Sequence, residues 1–227
     1  MVGKRYQAVL PKEDQYMTTL KQLLYSDLAR QYELEGARVA PSNSRLLCRL
    51  LHHRFLPIIL CRCSRAAMLR KLPVLPKLLT YLNIVLFGLE VTPRCEIGPG
   101  IFFPHPSGTV VGAWRIGSNA IILQGVTLGA KRMDLGFDFN LRPEVGDNVT
   151  LGAGAKVLGG VRIGHNVTVG ANSVVLNSVN DNCTVVGIPA RVSKRHMCTT
   201  ANLKIQKSML GEENGEFIRS YDHNPQL

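Results

Sequence analysis

A solenoid of short flat β-strands, entered through a set of helices, is the fold this sequence predicts, and three observations predict it. Branched apolar residues return every six positions over much of the second half. Glycine is abundant, at 21 of 227 residues, while aromatic residues make up only 6%, which suits many tight turns with slim side chains between them. A hydrophobic content of 45% supplies a packed interior rather than a disordered chain.

The repeat is clearest from Val145 onward, where Val145, Leu151, Val157, Ile163, Val169 and Val175 stand six apart. Upstream, Val110, Ile116, Ile122 and Leu128 keep the spacing, and Ile97 and Phe103 start it. The register slips near Pro106 and Ser107, and again across Lys131 to Glu144. A period of six is neither the 3.6 of a helix face nor the 2 of a lone strand. It fits a coil of three flat sides, one inward anchor per side, with glycine and asparagine at the corners. Stacked at the sheet spacing of roughly 4.8 Å, the coils bury each row of anchors on the next. An antiparallel sandwich with glycine-rich hairpins would not hold an integer spacing through six successive anchors. Between Leu128 and Val145 the text "AKRMDLGFDFNLRP" spends more residues than the repeat needs, so a loop over 130–144 leaves the coil. Loops on rigid scaffolds commonly carry function.

The elements come in a simple order: an N-terminal helical region over 1–88, the solenoid over 89–192 and a polar C-terminal tail over 193–227. Charge is concentrated at the front. Residues 1–90 hold 14 Lys/Arg against 6 Asp/Glu, and the span from Gly36 to Leu89 holds Arg38, Arg45, Arg49, Arg54, Arg62, Arg65, Arg70, Lys71 and Lys77 with no acid at all. Cations alternate there with apolar residues at helical spacing, and no uncharged run reaches the ~18–20 residues that a membrane crossing needs. Such basic amphipathic helices suit an anionic membrane surface; the alternative is that they pack on the solenoid with their arginines in water. Nucleic acid is disfavoured, because the region is aliphatic and poor in stacking aromatics.

Six scattered cysteines, with no secretory apolar run in "MVGKRYQAVLPKEDQ", predict a reducing cytoplasm. Cys61 and Cys63 form no metal-finger spacing with a second pair, so free thiols are expected and no metal.

The segments "QGVTLG", "GAGAKVLG", "GANSVVL" and "VVGIPARV", within a run of about 105 residues from Gly88 to Val192, resemble the hexapeptide-repeat acyltransferases, in their serine acetyltransferase branch. The short basic N-terminal region and "FGLEV" before the first coil are most similar, within that branch, to exopolysaccharide acetyltransferases of the colanic acid type. The resemblance implies a left-handed parallel β-helix, a homotrimer, and acetyl-CoA as co-substrate in a groove between adjacent prisms. It makes His105 of "PHPSG" the general base and Glu90, where the branch usually has aspartate, the carboxylate that orients it. It places Gly129, Ala130, Ala153 and Ala171 along the pantetheine arm, and Arg191, Lys194 and Arg195 near the phosphates. The competing readings are that the alanines are corner residues that the repeat wants anyway, and that the basic group is a solvated tail. His165 is expected exposed and inert; His52, His53, His196 and His223 have no partner pattern.

One segment departs from the branch. Where serine acetyltransferases carry "R-H-P" after the loop, this chain has Leu141, Arg142 and Pro143, so the partner for a serine carboxylate is missing unless Arg142 substitutes. On that ground the expected acceptor is a sugar hydroxyl of a polysaccharide or lipid-linked precursor, on the inner face of the membrane. Serine O-acetylation and a non-catalytic scaffold are the alternatives.

Overall fold

The computed structural model describes residues 19–36, 52–134 and 136–195. Arg38, Arg45, Cys48, Arg49, His196, Cys198, His223 and most of the expected tail therefore lie outside the described residues.

Three helices lead in. Helix α1 (Leu20–Leu34) starts on a capping box, in which Thr19 and Gln22 satisfy each other's backbone amides. Helices α2 (Leu56–Leu69) and α3 (Leu75–Phe87) each carry a proline in the first turn, where its missing N–H costs nothing. Gly88, at φ 64°, ends α3 in the left-handed conformation and turns the chain into the first coil.

Beyond Gly88 the chain winds into a left-handed parallel β-helix with three sheets. The first stacks β1 (Leu89–Val91), β3 (Thr109–Val111), β6 (Thr127–Gly129), β9 (Lys156–Leu158) and β12 (Val174–Val175). The second stacks β2 (Glu96–Ile97), β4 (Arg115–Ile116), β7 (Glu144–Val145) and β10 (Arg162–Ile163). The third stacks β5 (Ile121–Ile122), β8 (Thr150–Leu151), β11 (Thr168–Val169) and β13 (Cys183–Gly187), and closes on the antiparallel strand β14 (Ala190–Arg195). Glu144 pairs with Arg162 and Thr150 with Thr168, the 18-residue coil that three sides of six require. Arg115 pairs with Glu144, a step of 29 whose eleven extra residues are the excursion loop.

The repeat anchors fill the core: Ile116, Ile122, Leu128 and all six from Val145 to Val175 are buried. One anchor is wrong by a residue. Val110 is 37% exposed and pairs with the outward Glu90, whereas Val111 is 1% exposed and points inward. The turn carrying His105 takes the slack, so Leu89 pairs with Thr109, 20 residues on rather than 18.

One corner column is built on asparagine, as Gly-x-Asn at Asn119, Asn148 and Asn166 and as Asn-x-Asn at Asn182. Asn119, Asn148, Asn166 and Asn182 all hold positive φ between 54° and 58°, which asparagine tolerates better than other side chains. Their amides form a ladder, each Nδ2 donating to the next Oδ1 at 3.0–3.2 Å. Two residues before Asn119 and Asn148 the backbones nearly touch: a Cβ on Gly117 would sit 2.6 Å from the Gly146 carbonyl carbon. The outward residues of the second sheet alternate in sign, Glu96, Arg115, Glu144 and Arg162 standing in register across the coils.

Helices and prism meet at one buried polar cluster. The Asp27 carboxylate, fully buried, accepts from Arg62 Nε and Nη2 at 2.9 Å and from the amides of Gly100 and Ile101 at 2.8 and 3.1 Å. Arg62, 4% exposed, also donates to the carbonyls of Ile97 and Gly98. Arg65 donates to the carbonyls of Pro93, Arg94 and Cys95 and pairs with Glu96 at 3.1 Å. For these two arginines the membrane-facing reading is corrected: they face the first coil, because the chain turn there offers carbonyls that need donors.

Candidate active site

His105 sits in the widened turn between Phe103 and β3. Buried Phe102 and Phe103 anchor one side of that turn and buried Thr109 the other, while Pro104 and Pro106 stiffen it. The amide of Thr109 donates back to Pro106 at 3.3 Å, and the Thr109 hydroxyl donates to the carbonyl of Leu123, also at 3.3 Å. The imidazole is therefore held out on a braced turn, and it is exposed rather than walled into the prism.

This turn forms part of one corner column, where the third sheet passes into the first. Gly88, Gly108, Gly125 and Gly154 succeed one another there with φ between 64° and 72°. The contact is close: a Cβ on Gly88 would meet the Gly108 amide at 3.2 Å and Ser107 Cα at 3.4 Å. Glu90 lies two residues past Gly88 on the outer face of β1, exposed, one coil from His105. Among the described residues no hydrogen bond or ion pair joins the two side chains or engages either of them. Ala153 and Ala171 occupy the same corner farther along, with the Asn172 amide donating to the Ala153 carbonyl at 2.8 Å.

The other expected residues are spread more widely. Gly129 and Ala130 lie at the opposite edge of the first sheet, where a Cβ on Gly129 would have nothing within 4 Å. Arg191, Lys194 and Arg195 are exposed on the terminal hairpin. The chain thus gathers His105, Glu90, Ala153 and Ala171 on one edge and leaves Gly129 and Ala130 on another.

Arg142 is committed to its own loop. Its Nε donates to Asp134 Oδ2 at 2.8 Å, Nη2 to the Asp134 carbonyl at 3.0 Å and Nη1 to the Gly112 carbonyl at 2.9 Å. The guanidinium also stacks over Phe137, 4.1 Å from the ring centre. Desolvation works against ionisation of Asp134, yet Arg142 and the amides of Asp138 and Phe137 hold its carboxyl below the usual range. Arg142, expected as a substrate ligand, braces the loop in this structure. Sequence reasoning missed Asp134, whose partner stands eight residues on with no motif to mark it. It also missed Lys131, which lies across Gly159 and donates to the Leu176 carbonyl at 3.0 Å.

His165 has a partner after all: its Nδ1 accepts the Asp147 amide hydrogen at 3.0 Å, which ties one corner to the next. Desolvation pushes the thiols of Cys61 and Cys95 up to about 12, so neither is a ready nucleophile.

Comparison with known proteins agrees with the fold. Residues 142–177 match the family model of bacterial transferase hexapeptide (six repeats). The serine acetyltransferase of Synechococcus elongatus is 39% identical over 173 residues, 76% of this chain and 70% of that one. That of Staphylococcus xylosus is 46% identical over 127 residues, 56% and 57% of the two chains. Among solved structures, the Neisseria gonorrhoeae serine acetyltransferase superposes with a TM-score of 0.69 at 32% identity, covering 82% of this chain and 69% of that one. A serine acetyltransferase complex with CoA gives 0.64 at 31%, covering 76% and 69%. The soybean enzyme complexed with serine gives 0.66 at 34%, covering 76% and 69%.

These likenesses overturn the sugar acceptor and the exopolysaccharide kinship expected from the sequence. The similarity to serine acetyltransferases extends over three quarters of the chain, whereas the contrary reading rested on the short segment at Leu141–Pro143 and on N-terminal charge.

Proposed function

The chain belongs to the serine acetyltransferase family of hexapeptide-repeat transferases, and from that footing we propose that it transfers an acetyl group from acetyl-CoA to the hydroxyl of serine. The observation that carries the proposal is the exposed imidazole of His105, on a rigid turn at the head of a corner lined by small residues. His105 takes the proton from the serine hydroxyl as its oxygen attacks the thioester carbonyl carbon. The C–S bond then breaks and the imidazolium returns the proton to the departing sulfur. No covalent enzyme intermediate is needed, and positioned general-base catalysis is typically worth ~10²–10⁴ in rate. Glu90 steadies the imidazolium once the site is assembled.

A homotrimer completes the site. In a closed ring the His105 edge of one copy meets the Gly129–Ala130 edge of the next, and the pantetheine arm lies along the small residues between them. Open space at Gly129 supports this path. Arg191, Lys194 and Arg195, at the prism end, are then available to the phosphates. Arg142 shapes the acceptor side by fixing the loop.

Thiol release from acetyl-CoA with and without L-serine tests the activity. Release that requires serine and falls ~10²–10⁴-fold in His105→Ala is expected; release independent of serine, or full activity in the variant, refutes it. The shared site is tested by mixing two inactive variants, His105→Ala and Gly129→Trp. Random trimers regain about a quarter of the sites if each is built from two copies, and none if each copy is self-sufficient.

A further inference from the structure

Helix α3 packs against α2 with polar side chains inward and most of its apolar ones outward. Polar side chains fill the seam between them: the Ser64 hydroxyl donates to the Pro76 carbonyl at 2.8 Å and lies 3.1 Å from the Thr80 hydroxyl. Asn83 Nδ2 reaches the Pro57 carbonyl at 3.2 Å and Cys61 Sγ at 3.1 Å. Within α3 only Pro76 and Asn83 are buried. Most of its apolar residues face outward instead, with Leu78 at 56%, Tyr81 at 65% and Val85 at 60% exposed, and Leu69 at the end of α2 with Leu72 and Val74 of the connecting turn continue the patch. A helix pair adapted to water places its leucines in the seam and its Thr and Asn outside. Polar groups in the seam and apolar ones outside is the arrangement of helices whose outer surroundings are apolar.

The charges beside the patch indicate which surroundings. Arg70, Lys71 and Lys77 are exposed at its edge, and no carboxylate among the described residues pairs with them. The sequence from Gly36 to Leu89 has no acidic residue that would repel a negative surface. Thirteen residues of helix span roughly 20 Å, less than the ~30 Å of a bilayer core. No helix among the described residues is long and apolar enough to cross a membrane. The geometry points to an anionic bilayer surface as the occupant: α3 and the turn before it lie flat in the lipid interface, with Arg70, Lys71 and Lys77 among the headgroups.

The test is co-sedimentation of the full chain with vesicles of phosphatidylcholine alone or mixed with phosphatidylglycerol. Wild-type protein pellets with the mixed vesicles at least about tenfold more strongly than with phosphatidylcholine, and salt weakens the preference. Leu78→Glu with Val85→Glu lowers binding to both by about a hundredfold. Lys71→Glu with Lys77→Glu removes only the anionic preference, about tenfold. None of these residues belongs to the proposed active site, so acetyl transfer in solution serves as a separate readout of folding and activity. Wild-type protein that does not pellet, or a Leu78→Glu/Val85→Glu variant that pellets like wild type, overturns the inference. So does Tyr81→Cys linking two copies by disulfide without vesicles, since a second copy then covers the face.

Discussion

In the prism, every coil repeats the contacts of the coil below it: an aliphatic row on each side, an asparagine ladder at one corner, and charges of alternating sign on the second sheet. At the junction with the helices, one buried carboxylate and one buried guanidinium tie α1, α2 and the turn at Ile97–Ile101 together, and Arg65 adds a more exposed set of bonds to Pro93, Arg94, Cys95 and Glu96. The prism spreads its stability over many equivalent links, whereas the junction concentrates its buried polar links in the single Asp27–Arg62 cluster. Loss of one link should therefore have very different consequences in the two places.

Arg62→Ala is the sharpest break. It strands a fully buried carboxylate and two carbonyls, with an expected cost of about 3–5 kcal/mol. Denaturant unfolding should resolve an early loss of helix and a later loss of the prism; a single unshifted transition would contradict the concentrated junction. Replacing the pair by Asp27→Leu and Arg62→Met should not restore stability, because the amides of Gly100 and Ile101 still lack an acceptor. In the prism, Leu151→Ala should cost about 3 kcal/mol through the cavity it leaves, lowering the midpoint without splitting the transition. One rung of the ladder is smaller again. Asn148→Gly keeps the positive φ and loses the amide links, for about 1 kcal/mol, while Asn148→Ala adds a backbone penalty of about 1 kcal/mol more.

The smallest global effect belongs to the loop. Asp134→Asn should leave the unfolding midpoint in place but speed tryptic cleavage after Lys131 and Arg132, because Arg142 loses its anchor. Acid should act in the same direction. A carboxyl whose folded value is lowered contributes fully above its ordinary unfolded range near ~4, and that contribution disappears as pH falls through the folded value. Equal cleavage of wild type and Asp134→Asn would show that the loop is held by other contacts.

Much of the fold was legible because the signal is local and repeated. Six anchors at a spacing of six define the coil, and the eleven surplus residues after Leu128 define the loop, before any coordinates are known. Legibility ended where the repeat is interrupted. Two adjacent valines compete at the turn after His105, and only the pairing of Glu90 with Val110 shows that Val111 is the one inside. For the candidate site, His105 and Glu90 stood out in the sequence through their motifs, but the loop contacts of Arg142 did not, because its partners Asp134 and Gly112 carry no motif. Arg62 and Arg65 looked like any other cations of a basic helix until their acceptors were placed.

The sequence by itself determined the coil, its 18-residue turn and the excursion, since each depends on spacing between near neighbours. Tertiary structure alone decided which arginines are buried, which loop Arg142 braces, and that α3 turns its leucines outward. Those outcomes depend on partners distant in the chain, such as Asp27 with Arg62 at 35 residues and with Gly100 at 73. A charge or a leucine shows its role only when the group it packs against has been brought to it.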